Sequence, residues 1–279
     1  MSYEVNQYPG WIEAMSPIHH GGDEKTGSTP VLRSITHWDP NQKTHVRLPI
    51  LSGNAIRGFC RRLLMRDMLA QLGFEVSGKM LHHFLMSGGI LESTDETTGK
   101  MDLAFRRELR DTFPAIAVLG GSIGNQIIDG CLRVGLGVPV CSEYAYYLRD
   151  DLNDDPRAGM SIRTFTDISF ATRKDDLRDR AEDEQATQML IEFEVLISGT
   201  KFQHDFTLVA ASDLERSCFG RMIELWRREP RVGGKSATGY GLVRFEYDGL
   251  PSSDLYLSYL AEQKEQISER LSALEKAAK

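Results

Sequence analysis

The sequence predicts an α+β domain in which two helices pack on one antiparallel sheet. Two amphipathic segments, residues 54–72 and 213–228, repeat apolar residues at three- and four-residue spacing, as core-facing helices do. Strand-like segments precede and follow each of them, in the order strand, helix, strand, strand, helix, strand. Two helices on one sheet in this split βαβ order form the ferredoxin-like arrangement, which RNA-recognition domains also use.

Composition narrows the class of protein further. The chain has 279 residues, of which 41% are hydrophobic and 26% charged, as in globular domains. No apolar run approaches the roughly 18 residues that span a bilayer, and the first residues do not resemble a signal peptide. The four cysteines form no CxxC pair, so we expect neither zinc nor disulfides. These features predict a cytoplasmic protein with no cofactor, no metal and no membrane partner.

The first helix is the clearest element. Residues 11–22 suggest a strand that runs into a turn, and the polar stretch 23–34 suggests a loop. Ser52 or Asn54 can cap the helix that follows, and Gly73 suits its end. Arg57 and Arg61 lie four residues apart on its polar face. That face is either ordinary solvated surface or a phosphate contact near the helix N-terminus, where the dipole favours anions.

The middle of the chain is less regular. Residues 75–112 indicate an insertion with helical pieces, and 127–140 a single strand. Residues 150–200 form a highly charged excursion, and its composition predicts a projecting, flexible segment. Strands at 190–196 and 201–209, a helix capped by Asp213, a strand near 241–248 and a C-terminal helix at 253–277 complete one domain over residues 1–279. His82 and His83 are adjacent, so a helix would not point them at one metal ion.

The stretch VGGKSATGYG, residues 232–241, contains GKS but is not a nucleotide-binding P-loop. Glu229 occupies the position of the first required glycine, and a strand rather than a helix follows the loop. Glycines let a backbone approach a ligand and direct its N–H groups toward it. The stretch is therefore either a tight connector or a cradle for a polyanion, formed by Gly233, Gly234, Lys235, Ser236, Thr238 and Gly239.

Three motifs in this order resemble the RAMP superfamily of CRISPR systems. They are SPIHHGG after the first strand, LPILSGNAIRGFCRR at the first helix and GGKSATGYG before the last strand. The helix motif supplies Pro49, Ser52, Gly53, Gly58 and Arg61. The return strand of the excursion, with Glu194, Gly199 and Phe202, is similar to the thumb hairpin of the backbone subunits of multisubunit effector complexes. The resemblance fits the backbone subunits of type I and type IV effectors, and the short length and single-domain plan favour type IV.

The resemblance implies a subunit that polymerises along a guide RNA (crRNA) and presents it to target DNA or RNA, together with copies of itself and other effector subunits. Contacts to phosphates and 2′-hydroxyls would make binding independent of sequence. The net charge of −7 is unusual for such a protein, although a local basic surface can still bind phosphate. The RNA-binding residues that we predict are His19, His20, Arg33, Ser52, Asn54, Arg57, Arg61 and the six residues of the glycine loop.

The resemblance also raises the question of RNA cleavage. Type III backbone subunits cut RNA with an aspartate in the loop after the first strand, but Ser28 or Thr29 stands at the matching position here. We therefore expect a subunit that does not cleave. The alternative is a metal-dependent RNA endonuclease that uses Asp23 beside His19 and His20, with Mg²⁺ as its cofactor.

Overall fold

The computed structural model describes residues 3–26, 29–89, 102–123, 126–174 and 188–277. The strands are β1 (Val5–Ala14), β2 (Gly21–Thr26), β3 (Thr29–Leu32), β4 (Ser34–Asp39), β5 (Thr44–Pro49), β6 (Gly121–Ile123), β7 (Gln126–Ile128), β8 (Leu132–Val134), β9 (Val138–Pro139), β10 (Thr166–Lys174), β11 (Gln188–Leu196), β12 (Lys201–Val209) and β13 (Val243–Tyr247). The α-helices are α1 (Gly53–Leu72), α2 (Lys79–Ser87), α3 (Leu103–Thr112), α4 (Pro114–Leu119), α5 (Asp150–Asn153), α6 (Asp213–Arg228), α7 (Asp254–Glu262) and α8 (Lys264–Ala277).

The central antiparallel sheet has the strand order β13-β1-β12-β8, and β9 also pairs with β12. Helix α1 lies between β1 and β8 in the chain, and α6 lies between β12 and β13. This is the order of a split βαβ unit repeated once. The predicted α+β class with two helices on an antiparallel sheet is therefore confirmed.

Helix α1 begins and ends where its sequence predicts. The Ser52 side chain accepts a hydrogen bond from the Ala55 N–H, and Gly73 closes the helix with φ 63°. Helix α6 differs in one detail, because Ser212 and Glu215 form a reciprocal capping box and Asp213 is the first helical residue. The predicted cap at Asp213 is therefore wrong by one position.

The two core helices are joined by an ion pair as well as by apolar packing. Arg221 of α6 donates to both carboxylate oxygens of Asp67 on α1, at 2.6 and 3.0 Å. The Arg221 side chain is only 7% exposed. This bidentate geometry raises the pKa of Arg221 through its hydrogen bond with Asp67. Between α6 and the sheet, Phe219 and Trp226 of the helix pack against Phe206 of β12 in the core.

A second segment, residues 140–165, covers part of the other face of the sheet. Its buried residues Val140, Leu148, Leu152 and Ala158 pack with Trp11 of β1. Glu13 of the same strand forms ion pairs with Arg157 and Arg244. Because Trp11 is engaged in these contacts, it does not present an open aromatic surface of the kind with which RNA-recognition domains stack bases.

Several sequence predictions are corrected by the structure. Most of the stretch 23–34 is not a loop, because β2 pairs with β3 as a hairpin, and β4 pairs with β5 as another. The predicted strand at 127–140 is three short strands, and the predicted C-terminal helix is two helices, α7 and α8. Helix α4, in which every residue is buried, was not predicted.

The structure describes parts of the predicted insertion at 75–112 and of the predicted excursion at 150–200. Helices α2 and α3 are the predicted helical pieces at 75–112, while residues 90–101 lie outside the described chain. Strands β10 and β11 pair with each other over nine positions from Thr166↔Leu196 to Lys174↔Gln188. Residues 175–187 of the charged excursion are not described. No helix of the described ranges is long and apolar enough to cross a membrane.

Candidate nucleic-acid interface

Residues 17–20, which we call the junction segment, connect the first strand to three other parts of the fold. The segment has little regular structure of its own, and its backbone is held by hydrogen bonds to distant residues. These bonds are Gly241 N to Pro17 O at 2.9 Å, Ile18 N to Leu196 O at 2.8 Å, Leu196 N to Ile18 O at 2.9 Å, Gly234 N to His19 O at 2.8 Å and Arg33 N to His20 O at 2.8 Å. The junction segment therefore places the glycine loop beside strand β11.

The two histidines of this segment have different environments. His20 is 9% exposed, and its Nε2 accepts a hydrogen bond from the Ser52 backbone N–H at 3.2 Å. Burial, with a smaller contribution from Arg33, lowers the pKa of His20 to about 4. His20 is therefore neutral at pH 7 and supports the start of α1. Because its ring is buried and already hydrogen-bonded, we do not propose His20 as an RNA contact.

His19 is half-buried and lies closer to the glycine loop. Its Nδ1 lies 2.9 Å from the backbone oxygen of Glu194, and its ring packs edge-on against Phe193 with centroids 4.9 Å apart. When Nδ1 donates to this carbonyl, the other ring nitrogen, Nε2, remains for a further partner. His19 therefore stays in the proposed interface.

The glycine loop, residues 233–241, needs its glycines for two reasons. Gly233, Gly239 and Gly241 have φ values of 76°, 91° and 79°, a region that other residues rarely adopt. A Cβ on Gly241 would also lie 2.1 Å from the Val232 carbonyl oxygen, and one on Gly233 would lie 2.7 Å from the His19 oxygen. By contrast, a Cβ on Gly239 would meet no atom within 4 Å. Neighbouring backbone atoms therefore leave no room for a Cβ at the two ends of the loop, Gly233 and Gly241.

The middle of the loop has unused hydrogen-bond donors. The backbone N–H groups of residues 235, 236 and 237 make no hydrogen bond within the part of the chain that the structure describes. Lys235 has φ 59°, and the turn Ser236–Thr238 follows it directly. The Thr238 hydroxyl donates to the Lys235 carbonyl at 2.9 Å. Ser236 and Thr238 are both exposed. Successive N–H groups on an exposed turn can donate to an anion.

The loop is also fixed to the base of the β10–β11 hairpin through side chains that the sequence analysis did not single out. The Lys235 ammonium lies 4.2 Å from the centre of the Phe193 ring, a cation–π contact. Tyr240 packs on the same ring with centroids 5.5 Å apart, and its hydroxyl lies 2.6 Å from Ser169 Oγ. No local sequence signal marks these contacts, because they join residues about 40 to 70 positions apart.

The arginines near the start of α1 point toward the protein. Arg61 is 5% exposed and donates to the carbonyl oxygens of Leu119 and Gly120 at 2.8 and 2.9 Å. Burial lowers the pKa of Arg61 to about 10. Because both hydrogen bonds end inside the fold, Arg61 is left out of the proposed interface.

Arg57 is half-buried and donates to the Leu132 carbonyl. Burial, followed by the neighbouring charge of Arg133, lowers its pKa. Of the remaining predicted residues, Asn54 is exposed, Arg33 is half-buried, and Ser52 serves as the helix cap. The start of α1 therefore offers fewer cations to a ligand than its sequence suggests.

The residues of the alternative nuclease site are only partly visible. The backbone of Asp23 belongs to β2, but its side chain and all of Ser28 lie outside the described residues. No group of three His, Cys, Asp or Glu side chains in the described residues is arranged to hold a metal ion.

Together these features define a ferredoxin-like α+β protein with a glycine-rich, donor-bearing loop next to a projecting hairpin. No protein-family model matches the sequence, and no curated protein matches it. Among solved structures, a chain of a "Type IV-B CRISPR Complex" has a similar fold, with a TM-score of 0.61. It is 21% identical, and the similarity covers 88% of this chain and 91% of that chain. The similarity of fold therefore extends over nearly the whole chain.

The two classes of loop glycine can be separated by mutation. Gly239→Ala places an ordinary residue at positive φ, and we expect a loss of about 1 kcal/mol in unfolding free energy. Gly241→Ala adds a collision with the Val232 backbone, so we expect a loss of about 3 kcal/mol or more. Urea unfolding followed by circular dichroism measures both. Equal losses in the two variants would contradict the close approach at Gly241.

Proposed function

We propose that this chain is a guide-RNA-binding backbone subunit of a CRISPR effector complex. The observation that carries the proposal is the glycine loop, whose unused N–H groups and Lys235 lie together at the base of the hairpin. The similarity of fold to a chain of a type IV-B complex supports it. In this proposal the partners are guide RNA, copies of the same chain and other effector subunits, and the target is bound through the guide.

The chemistry of the loop favours contact with the RNA backbone. Amide N–H groups and an ammonium group bind phosphate oxygens, and they read no base. His19, Arg33, Ser52, Asn54 and Arg57 lie on or near the junction segment and the start of α1, and we propose that they contribute to the same surface. A surface of this kind accepts any guide sequence, as a repeated subunit must.

We further propose that the β10–β11 hairpin contacts the next copy of the chain. Ile168 and Phe170 are 50% and 55% exposed and lie on one face of the hairpin, with Leu190, which is 56% exposed. The opposite face carries Ser169 and Phe193, which contact the glycine loop. Glu192, which pairs with Phe170, lies on the same face. Exposed apolar side chains that neighbour one another and are flanked by charge are typical of a surface that another protein covers.

We propose that the subunit binds RNA without cutting it. The position of the aspartate that type III subunits use is Ser28 or Thr29 here. His20, one of the two histidines of the alternative site, is buried and neutral, and its Nε2 is bonded to the backbone of Ser52. Catalysis as a general base requires a ring nitrogen that can reach substrate.

Loss of the Lys235 charge should weaken guide binding. The protein is expressed with a CRISPR array, and the affinity of Lys235→Ala for guide RNA is measured at several salt concentrations. We expect the slope of log K against log salt to fall by about 0.7 to 1, as for one lost phosphate contact. Lys276→Ala, an exposed lysine on α8, is the matched control and should leave the slope unchanged. An unchanged slope for Lys235→Ala would remove this residue from the interface, and a preparation free of nucleic acid by its absorbance ratio would contradict the function itself.

Polar substitution on the hairpin should shorten assemblies. Phe170→Ser removes an exposed apolar side chain, so we expect a folded monomer that forms shorter filaments on guide RNA in electron micrographs. Leu255→Ser, which changes a side chain that is 50% exposed on α7, should have no such effect. Filaments of normal length in Phe170→Ser would show that this face is not the contact.

The complex should leave paired RNA intact. We expect labelled RNA complementary to the guide to remain uncut after incubation with the complex and magnesium. Periodic cleavage that disappears in Asp23→Ala would establish the nuclease alternative instead.

A further inference from the structure

An aromatic pocket of about 450 Å³ lies away from the glycine loop. Its volume is in the range of small-ligand sites, roughly 300 to 1,000 Å³. The pocket is formed where β4, the segment between β8 and β9, β12 and the turn before α5 meet. Its walls are Ile35, His37, Leu136, Val138, Tyr144, Tyr147, Gln203 and Asp205.

Three aromatic rings form one wall of the pocket. Tyr144 and Tyr147 are stacked with centroids 5.6 Å apart, and His37 lies 5.0 and 4.8 Å from them. Tyr147 is 43% exposed, and Leu136 on the rim of the pocket is 42% exposed. Part of the apolar and aromatic surface of the pocket is therefore open to a ligand.

The aromatic wall is held rigidly in place. Glu143, immediately before Tyr144, accepts hydrogen bonds from Ser161 Oγ at 2.6 Å and from the Ile162 N–H at 2.9 Å. The side chain of Gln203 donates to the Tyr147 carbonyl at 3.4 Å and accepts from the Arg149 N–H at 2.7 Å. A preformed wall lowers the entropic cost of binding a ligand.

Asp205 is the one Asp, Glu, Lys or Arg side chain among the residues that line the pocket. It is exposed on β12, between the buried residues His204 and Phe206. Burial lowers the pKa of His37, so this ring is neutral at pH 7. The His37 Nε2 atom is buried and has no hydrogen-bond partner in the described chain. No lysine or arginine lines the pocket.

We infer that this pocket binds an arginine side chain that a partner protein presents. A guanidinium group stacks on aromatic faces and pairs with a carboxylate through its fork of N–H donors. At Trp11 the chain supplies the cations for such contacts itself, because Lys201 and Arg244 lie 4.8 and 5.8 Å from the centre of that ring.

RNA is a poorer occupant of the pocket. A phosphate group inside the pocket would be repelled by Asp205, and no cation among the lining residues would compensate this repulsion. The inferred occupant is therefore a protein side chain. The pocket lies beside the start of α1, because Gly137, between Leu136 and Val138, pairs with Leu51. Binding of arginine there does not depend on the proposed function.

The inference is tested with the purified full chain by nuclear magnetic resonance of the Leu136 and Val138 methyl groups. N-acetyl-arginine methylamide is the probe, and the neutral isostere N-acetyl-citrulline methylamide is its control. We expect saturable shifts with a dissociation constant on the order of 1 mM for the arginine probe, and binding at least fivefold weaker for citrulline. Asp205→Asn and Tyr147→Ala should each weaken binding of the arginine probe at least fivefold.

Asp248→Asn, which changes an exposed aspartate just after β13, is the matched control and should bind the probe as the unchanged chain does. Equal binding of the two probes, no shifts at the two methyl groups, or unchanged binding in Asp205→Asn would overturn the inference. Tighter binding of uridine monophosphate than of the arginine probe would also overturn it, in favour of a nucleotide site. Preserved methyl spectra of the variants outside the pocket establish that they remain folded.

Discussion

The backbone hydrogen bonds of the junction segment determine how the rest of the interface is arranged. An extended segment has donors and acceptors on both of its edges, and here each edge has a different partner. Ile18 pairs with Leu196 at the end of β11, whereas His19 pairs with Gly234 of the glycine loop. The distance between loop and hairpin is thus set by main-chain geometry. Side chains such as Phe193 and Tyr240 then fill the space that the backbone leaves.

This arrangement would allow an acidic chain to present the proposed phosphate-binding surface. The net charge is −7. Arg61 of α1 is used inside the protein, and half-buried Arg57 already donates one hydrogen bond to the Leu132 carbonyl. Arg61 binds the carbonyls at the end of α4, where the partial negative charge of a helix terminus is satisfied by a cation. The donors that remain for a ligand are mostly backbone N–H groups, which contribute nothing to the formal charge.

The parts of the fold that could be predicted from sequence are those with strong local signals. Helices α1 and α6 follow from their apolar periodicity and caps, and the exclusion of a P-loop follows from Glu229 and the strand after the loop. The hairpin β2–β3 could not be predicted, because its polar, turn-rich strands carry no apolar alternation. Strand β5 alternates at Val46 and Leu48, but this pattern is too short to indicate β4 as its partner. Helix α4 has only six residues and is buried on every side, so it has no amphipathic pattern to detect.

The direction of a side chain was the least predictable property. Arg57 and Arg61 have the spacing of an exposed cationic face, yet both donate to carbonyls of neighbouring elements. Helical spacing shows which residues share a face, but whether that face meets solvent depends on β8 and α4, which are distant in sequence. The same limit applies to Lys235, whose contact with Phe193 joins the loop to a strand some 40 positions away.

The covered face of the sheet limits where nucleic acid can bind. Trp11 lies at the centre of β1, where an RNA-recognition domain would present a ring for base stacking, but Lys201 and Arg244 lie over its ring and residues 140–165 pack against it. Trp11 therefore offers no free face on which a base could stack. In the proposed interface the ligand instead meets the glycine loop and the hairpin base, where most donors are main-chain N–H groups. Because main-chain donors are the same whatever residue carries them, such an interface would not depend on the sequence of the guide.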